Sequence, residues 1–331
     1  MNDPLISIND LKTYYFTEEG SVKAVDRVSL EIKKGEVLGL VGESGCGKST
    51  ASHSIMRLIK RPGKIVGGKI WFEGKDLLSI NNEEMRKIRG AEISMIFQNP
   101  MSSLNPVFTV ENQIAEVIKL HQNVTKTEIK KRIAEIMSKV GIPDPIERMK
   151  DYPHEYSGGM AQRVMIAMAL SCNPKLLIAD EPTTNLDVTI QAQILELMKE
   201  LRKDFGASIL LIGHDLGVMS ELADRIAVMY AGKLVECSDL TGLFQKPKHP
   251  YTKALLESIP RLDVQTERLR IIPGTVPRLI EPPPGCRFHP RCEYAMEICS
   301  EQEPKLAEVE KEHAVACHLY TSNKKSSHQR S

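Results

Sequence analysis

Gly42-Glu43-Ser44-Gly45-Cys46-Gly47-Lys48-Ser49-Thr50 is the stretch that decides the fold, and it fits the pattern G-x-x-x-x-G-K-[ST] at every required position. Apolar residues predict a short buried strand over 37–41 before it and a helix over 51–59 after it. The glycines let successive backbone N–H groups turn inward and bind an anion at the start of that helix. We therefore expect a nucleoside triphosphate cradle, in which Lys48 neutralises the β- and γ-phosphates and Ser49 ligates Mg²⁺.

Composition limits the class of protein. The chain has 331 residues, enough for two domains, and its net charge of +1 gives no electrostatic footprint for nucleic acid. It contains no apolar run of about 18 residues and begins without a signal-peptide pattern. We therefore expect a cytosolic protein that does not bind nucleic acid and that reaches a membrane through partners.

Hydrophobic periodicity predicts an α/β fold. Alternating apolar residues over 5–33 predict antiparallel strands before the phosphate loop. Continuous apolar runs separated by helical patterns predict the strands of a mostly parallel sheet, at 93–97, 176–179 and 208–212.

Two further regions differ from this α/β pattern. From about 107 to 155 there is no strand signal, which predicts a helical subdomain spanning about 99–170 within a nucleotide-binding domain of residues 1–240. Prolines then interrupt 241–320, where we expect a separate, small and irregular C-terminal region. The polar end, 321–331, is expected to be disordered.

A second glycine-bearing motif is Tyr156-Ser157-Gly158-Gly159-Met160-Ala161-Gln162-Arg163. Ser157 is expected to cap a following apolar helix, and the glycines permit close backbone approach, as at a phosphate-binding helix start. One nucleotide does not need two phosphate-binding helix starts, this one and the phosphate loop, from the same chain. We therefore expect a dimer in which each chain completes the site of the other.

Polar residues follow two of the predicted strands. Asp180 and Glu181 end the first, and adjacent carboxylates there are costly unless they engage a cation or water. Asp180 is expected to hold the Mg²⁺ shell and Glu181 to orient and deprotonate the attacking water. His214 follows the next strand, where strand ends converge in an open α/β sheet, and is expected to hold the γ-phosphate and water in line.

In this order the motifs resemble the ATP-binding subunits of ABC transporters, over roughly residues 5–235. The matching motifs are Walker A at 42–50, the Q-loop at Gln98, the signature at 156–162, Walker B at 176–181, the D-loop at 184–187 and the H-loop at His214. The resemblance implies a P-loop NTPase fold. It also implies a head-to-tail dimer that holds two ATPs, each between Walker A of one chain and the signature of the other.

The same resemblance implies residue roles. One aromatic of 14–16 is expected to stack on the base, and the resemblance implies that it is Tyr15; Gln98 would link Mg²⁺ and water to the membrane interface. Tyr156 departs from the family, where leucine is commoner. The expected ATP contacts are Tyr15, Gly42, Ser44, Gly45, Cys46, Gly47, Lys48, Ser49, Thr50, Gln98, Asp180, Ser157, Gly158, Gly159 and Asp187. The expected catalytic residues are Glu181, His214 and Gln98, and the expected Mg²⁺ ligands are Ser49, Gln98 and Asp180.

The C-terminal stretches 248–256, 272–277 and 285–292 are similar to those of ATPase subunits from bacterial oligopeptide and dipeptide importers. That resemblance implies peptide cargo, two transmembrane permease subunits, an extracytoplasmic peptide-binding protein and a peripheral position on the cytoplasmic face of the membrane. The second ATPase subunit is a paralogue, or another copy of this chain when isolated. Nickel or another cargo, or a soluble ABC ATPase without a membrane partner, are the alternatives.

Four of the seven cysteines lie together, as Cys286, Cys292, Cys299 and Cys317, with gaps of five, six and seventeen residues. Structural zinc sites usually include a knuckle of about two to four intervening residues, which is absent here. Four thiolates suit an iron–sulfur cluster, and family members with this spacing resemble [4Fe–4S] binders. Zn²⁺ or free thiols are the alternatives, and the role is either a structural staple, a redox switch or an iron-dependent sensor.

Overall fold

The structure is a computed structural model that describes residues 3–184, 186–258 and 272–321. The described residues form two compact units. The helical unit comprises 3–5, 32–37, 75–184 and 186–212, and the phosphate-loop unit comprises 6–31, 38–74, 213–258 and 272–321. The predicted domain boundary at residue 240 lies inside the phosphate-loop unit. The predicted disordered tail lies outside the described residues, apart from Thr321.

The strands are β1 (Ile6–Thr17), β2 (Gly20–Ile32), β3 (Val37–Val41), β4 (Gly63–Phe72), β5 (Lys75–Asp76), β6 (Ile93–Ile96), β7 (Leu176–Asp180), β8 (Ser208–Gly213), β9 (Arg225–Tyr230), β10 (Lys233–Asp239), β11 (Ala307–Glu310) and β12 (His313–Val315). The helices are α1 (Lys48–Ile55), α2 (Asn82–Ile88), α3 (Pro100–Ser103), α4 (Val110–His121), α5 (Lys126–Lys139), α6 (Pro145–Arg148), α7 (Gly158–Leu170), α8 (Val188–Phe205), α9 (Leu216–Leu222), α10 (Leu240–Gln245), α11 (Pro250–Glu257), α12 (Glu297–Glu301) and α13 (His318–Thr321). Within the described residues, no helix has both the length and the apolarity needed to cross a membrane.

The helical unit is built on three parallel strands, in the order β6, β7, β8. Ile93 pairs with Leu176, which pairs with Ser208 on the far side. All residues of β6 and β7 are buried, which explains why the sequence shows continuous apolar runs rather than alternation. The prediction of parallel strands here is confirmed.

Helices α4, α5 and α6 of this unit occupy the predicted strand-free stretch. Thr109 and Thr125 cap α4 and α5, and each hydroxyl accepts an N–H from the first turn. Helix α5 buries one stripe at helical spacing, Ile129, Ile133, Ile136 and Met137. Helix α7 is apolar on most of its surface and buries residues all round, so it forms the centre of this helical layer.

The phosphate-loop unit combines antiparallel and parallel strands. Strand β1 lies between β2 and β4 and pairs antiparallel with β4, from Ile6 opposite Phe72 to Tyr15 opposite Gly63. Strand β3 pairs in parallel with β9, and β9 pairs antiparallel with β10. Strands β1 and β2, which are neighbours in their sheet, confirm that the stretch before the phosphate loop forms strands.

The C-terminal region contains more regular structure than predicted. Strand β12 pairs with β10, and β11 pairs with β12, so the region extends the sheet that contains β3. His313 and Val315 of β12 are buried. Strand β12 is three residues long, too short to show a periodicity in the sequence.

Candidate nucleotide site

The phosphate loop leaves the fully buried β3 and leads into α1. Gly42 and Gly47 have positive φ angles of 154° and 106°. A Cβ at Gly42 would lie 2.1 Å from the carbonyl oxygen of Met229, and one at Gly47 would lie 2.0 Å from that of Ala24. Both positions therefore require glycine for steric as well as conformational reasons.

Lys48 lies folded against this loop. Its Nζ donates to the carbonyl oxygens of Gly42 at 2.7 Å and Glu43 at 3.1 Å, and the residue is 5% exposed. Cys46 is fully buried beside it, and burial raises the pKa of the Cys46 thiol. The loop thus presents a buried cation at the start of α1, as an anion site requires.

The three neighbouring aromatics in β1 have different environments. The Tyr14 hydroxyl donates to Asp26, and Phe16 is 45% exposed. The Tyr15 hydroxyl lies 3.5 Å from the hydroxyl of Thr50 in α1. Tyr15 is therefore the aromatic of the three with a contact to the phosphate-loop helix.

Glu181 lies in the helical unit and is held by several hydrogen bonds. It follows β7 with a φ of 48°, which is unusual for a residue with a side chain, and its N–H donates to the carbonyl of Ile212 at 2.9 Å. Its Oε2 accepts a bond from Gln98 Nε2 at 2.8 Å and another from the Thr184 hydroxyl at 3.0 Å. The structure therefore brings together two residues predicted to be catalytic, Glu181 and Gln98.

Asp180 ends strand β7, and His214 directly follows strand β8, which pairs with β7. Asp180 is the last residue of β7 and is 4% exposed. His214 follows β8 and is exposed, just before Asp215, whose carboxylate caps α9 by accepting the N–H of Gly217 at 2.7 Å. His214 belongs to the phosphate-loop unit, and Asp180 belongs to the helical unit.

The second motif begins α7 as predicted. The Ser157 hydroxyl caps the helix by accepting the N–H of Met160 at 3.3 Å. A Cβ at Gly158 would meet open space, whereas one at Gly159 would lie 2.9 Å from Ile190 in the first turn of α8. The unusual Tyr156 is buried, and its hydroxyl donates to the carbonyl of Arg148 at 2.6 Å.

Asp187, predicted to contact ATP, caps α8 through its carboxylate, which accepts the N–H of Ile190 at 3.0 Å. Because Ile190 also faces Gly159, the starts of α7 and α8 lie against each other. Asn185, in the predicted D-loop, lies outside the described residues.

Comparison with known families identifies this arrangement. Residues 25–184 match the family described as "ABC transporter". The oligopeptide transport ATP-binding protein AppD of Bacillus subtilis is 54% identical over 317 residues, covering 96% of this chain and 97% of AppD. The chain belongs to the ABC transporter ATP-binding proteins. The ABC ATPase also matches "Oligopeptide/dipeptide transporter, C-terminal region" at residues 235–299.

Other relatives agree with this assignment. The dipeptide transport ATP-binding protein DppD of Escherichia coli is 49% identical over 314 residues, covering 95% of this chain and 96% of DppD. Among solved structures, the dimeric ATP-binding cassette MJ0796 bound to ADP and Pi has a TM-score of 0.64 at 27% identity, covering 71% of this ABC ATPase and 98% of that chain. The cbiO1 protein of Clostridium perfringens gives 0.63 at 27% identity, covering 74% and 92%.

The four C-terminal cysteines of the ABC ATPase line one small pocket, together with His249, Phe288 and His318 among others. None of the cysteines that the structure describes forms a disulfide. Burial raises the pKa of Cys286 to about 12 and that of Cys317 to about 11. Among the described residues, no three His, Cys, Asp or Glu side chains are placed to hold a metal ion. The predicted metal-binding region is therefore not confirmed, although four thiols are of the donor type that such a site uses.

The structure shows two contacts to the phosphate loop that the sequence did not predict. The Glu43 carboxylate accepts two bonds from Arg291, and the Glu43 N–H donates to the hydroxyl of Tyr251. These residues lie more than 200 positions apart in the chain, so no local pattern joins them. The one available signal is that both occur in the C-terminal stretches already distinctive in the sequence.

Proposed function

We propose that this ABC ATPase hydrolyses ATP to power the uptake of dipeptides or oligopeptides through a membrane importer. The observation that carries the proposal is the pairing, in one chain, of the ABC transporter match at 25–184 with the oligopeptide/dipeptide transporter match at 235–299. AppD and DppD, whose names specify oligopeptide and dipeptide transport, support it over nearly the whole length of the chain. On this proposal, 1–240 is the nucleotide-binding domain and 241–320 the importer-type C-terminal region.

The phosphate loop is proposed to bind the triphosphate, with Ser44, Gly45, Cys46, Gly47, Ser49 and Thr50 around it. Lys48, now bonded to two loop carbonyls, would turn to the β- and γ-phosphates, and Tyr15 beside Thr50 would stack on the base. Mg²⁺ prefers oxygen ligands, and the hydroxyl of Ser49, the buried carboxylate of Asp180 and the amide oxygen of Gln98 are of that type. Bound there, Mg²⁺ would neutralise charge on the phosphates.

Glu181 is the proposed general base. Its left-handed backbone fixes where the carboxylate emerges from β7, and the hydrogen bonds from Gln98 and Thr184 fix its orientation. Backbone strain of this kind is concentrated at functional sites. Glu181 would accept the proton of the attacking water while His214 holds the water and γ-phosphate in line.

A dimer is proposed to complete each site, with Ser157, Gly158 and Gly159 of one chain at the γ-phosphate bound by the other and Asp187 nearby. The dimeric state of MJ0796 with ADP and Pi supports this. ATP would favour the closed dimer and hydrolysis the open one, because only a ligand with unequal affinity for two states can shift them. The second subunit would be a paralogue, or a copy of this chain when isolated.

The membrane partners are proposed to be two permease subunits docked on the helices that follow Gln98. Exposed apolar residues there are Met101, Val107 and Phe108. The ATPase would then lie on the cytoplasmic face of the membrane, and an extracytoplasmic peptide-binding protein would act through the permeases.

Uptake by reconstituted transporter tests the cargo. Liposomes containing the ATPase, its permease subunits and a peptide-binding protein should accumulate labelled dipeptide or tetrapeptide with MgATP, and should fail with a Lys48→Ala ATPase. Nickel accumulation without peptide uptake would contradict the peptide assignment. Binding to DNA or ribosomes, without co-purification of permeases from detergent extract, would contradict coupling to a membrane.

We also infer that Cys286, Cys292, Cys299 and Cys317 hold a [4Fe–4S] cluster, with Zn²⁺ as the alternative. Their convergence on one pocket and their spacing support this, and four thiolates would supply the ligand set such a cluster requires. Anaerobically purified protein should contain about four iron and four sulfide per chain, and Cys292→Ser should lose both. Stoichiometric zinc, or thiols that all react with a labelling reagent in native protein, would contradict the inference.

A further inference from the structure

Residue Glu43 of the phosphate loop is held from two sides by the C-terminal region. Its carboxylate oxygens accept from Arg291 Nη1 at 2.8 Å and Nη2 at 3.1 Å, a bidentate pair. Its backbone N–H donates to the Tyr251 hydroxyl at 2.9 Å. Main chain and side chain of one loop residue are thus both fixed by residues from the far end of the sequence.

Arg291 is itself held in place before it reaches the loop. Its Nε donates to the carbonyl of Pro273 at 2.8 Å and its Nη1 to the Tyr230 hydroxyl at 3.2 Å. Its guanidinium lies 5.7 Å from the ring centre of Tyr230 and 6.0 Å from that of Phe288, and its side chain is 5% exposed. A buried, pre-oriented guanidinium loses little entropy when it binds a carboxylate.

Tyr251 is equally constrained. It is fully buried in α11, and its ring centre lies 4.7 Å from that of Tyr230 and 5.4 Å from that of Phe288. The start of α11 is fixed by the buried carboxylate of Glu236, which accepts the N–H of Lys248 at 2.6 Å and that of His249 at 2.9 Å. The position of the Tyr251 hydroxyl, which contacts the loop, is therefore fixed by the packing of its ring.

Glu43 connects this C-terminal contact to the proposed phosphate ligand. Its carbonyl oxygen accepts a bond from Lys48 Nζ, and its neighbour Gly42 accepts another. A displacement of Glu43 would move the backbone that shapes the anion cradle. It would also move the carbonyl oxygens that accept hydrogen bonds from Lys48. The contact thus bears on nucleotide affinity, not on folding alone.

We propose that Arg291 and Tyr251 are positioning residues for the phosphate loop, so that the cysteine-bearing C-terminal segment sets the affinity of this ATPase for nucleotide. This rests on the proposed binding of ATP at the loop. On this view the C-terminal region does more than stabilise itself: disruption of the segment between Cys286 and Cys292 would weaken nucleotide binding through Arg291.

Calorimetric titration of the full chain with MgADP tests the proposal. Arg291→Gln and Glu43→Gln each remove the same bidentate contact from opposite ends and should each raise the Kd about tenfold. The double variant should be no weaker than either single variant, because both lose one shared interaction. Arg291→Lys should recover part of the affinity, and KM for ATP should rise with little change in kcat.

Arg27→Gln is the matched control, since Arg27 also pairs with a carboxylate, Glu303, in the same unit but is half-exposed and has no bond to the loop. It should leave the Kd unchanged. If Arg291→Gln is too unstable to purify, Glu43→Gln and Tyr251→Phe test the same contacts. Wild-type affinity in these variants, or additive losses in the double variant, would overturn the positioning role. Wild-type protein that binds no MgADP would overturn the proposed function and this inference with it.

Discussion

At the scale of single residues, the proposed chemistry depends on Glu181. A carboxylate at the end of a buried strand, in a left-handed backbone conformation and bonded by Gln98 and Thr184, has one defined orientation. That fixed orientation is what a general base requires, because proton transfer depends on geometry before it depends on pKa.

Glu181→Gln should therefore lower ATP turnover by roughly 10²–10⁴-fold while leaving MgATP binding intact. The amide keeps the size and the hydrogen-bonding ability of the side chain but cannot accept the proton. Steady-state turnover and nucleotide binding are the measurements. Glu92→Gln is the control, since Glu92 is an exposed carboxylate of the same unit, paired with Lys175. Normal hydrolysis by Glu181→Gln would mean that another group is the base.

Tyr156 illustrates a departure from the family that is explained by packing. Its hydroxyl is buried and bonded to the Arg148 carbonyl, so Tyr156→Phe should lower the free energy of unfolding by about 1 kcal/mol without changing KM for ATP. Tyr152→Phe, at a 40% exposed residue, should change stability by less than about 0.5 kcal/mol. Denaturant unfolding measures both. A large loss of ATP affinity in Tyr156→Phe would give the residue a role in the site.

The sequence predicted the positions of single residues at the ends of strands better than it predicted their contacts. The phosphate loop, Asp180, Glu181 and His214 are recognisable because each stands at the end of a local pattern. The Glu43–Arg291 pair is not, because it joins positions 248 residues apart and each is an ordinary surface residue type.

At the scale of elements, an ion-pair cluster fastens β2 to β10 and the C-terminal region. Asp26 of β2 is bonded by Arg287 Nη2 at 2.5 Å, by Lys233 Nζ at 3.0 Å and by the Tyr14 hydroxyl at 2.9 Å. Burial alone would raise the pKa of Asp26, but these bonds outweigh it and hold the pKa below its ordinary value of 3.8.

Asp26→Asn should lower the free energy of unfolding by about 3–5 kcal/mol, since it removes the carboxylate that pairs with buried Arg287 and leaves Lys233 with Glu303 alone. Glu303→Gln should cost less than about 1 kcal/mol, because that carboxylate is 39% exposed. Because the folded-state pKa of Asp26 is depressed, its contribution is present above the ordinary value and is lost as pH falls through the folded value. The difference between wild type and Asp26→Asn should accordingly shrink below about pH 4. A constant difference from pH 7 to pH 3 would contradict this account.

Element prediction succeeded where periodicity was long and failed where it was short. The 14 residues of α5 and the buried runs of β6, β7 and β8 are clear in the sequence. Strand β12, with three residues, and its partner β11 form through pairing with β10, a contact that local composition does not encode.

At the scale of the whole molecule, the proposed ATP site requires two chains. Each carries one phosphate loop and one capped helix start at Ser157, and the proposed sandwich uses each of them once. The sequence predicted this requirement from the count of phosphate-binding helix starts. It did not predict the contacts of Arg291 and Tyr251 with Glu43, since these depend on the folding of the chain onto itself.

The most direct test of an ATP site shared by two chains is the structure, by electron cryomicroscopy, of the membrane complex assembled with the Glu181→Gln subunit and MgATP. The account predicts that the Ser157 hydroxyl and Gly159 amide of this chain lie within hydrogen-bond distance of the γ-phosphate held by the neighbouring ATPase subunit. A closed, ATP-bound complex in which residues 157–159 face solvent, far from any γ-phosphate, would contradict it.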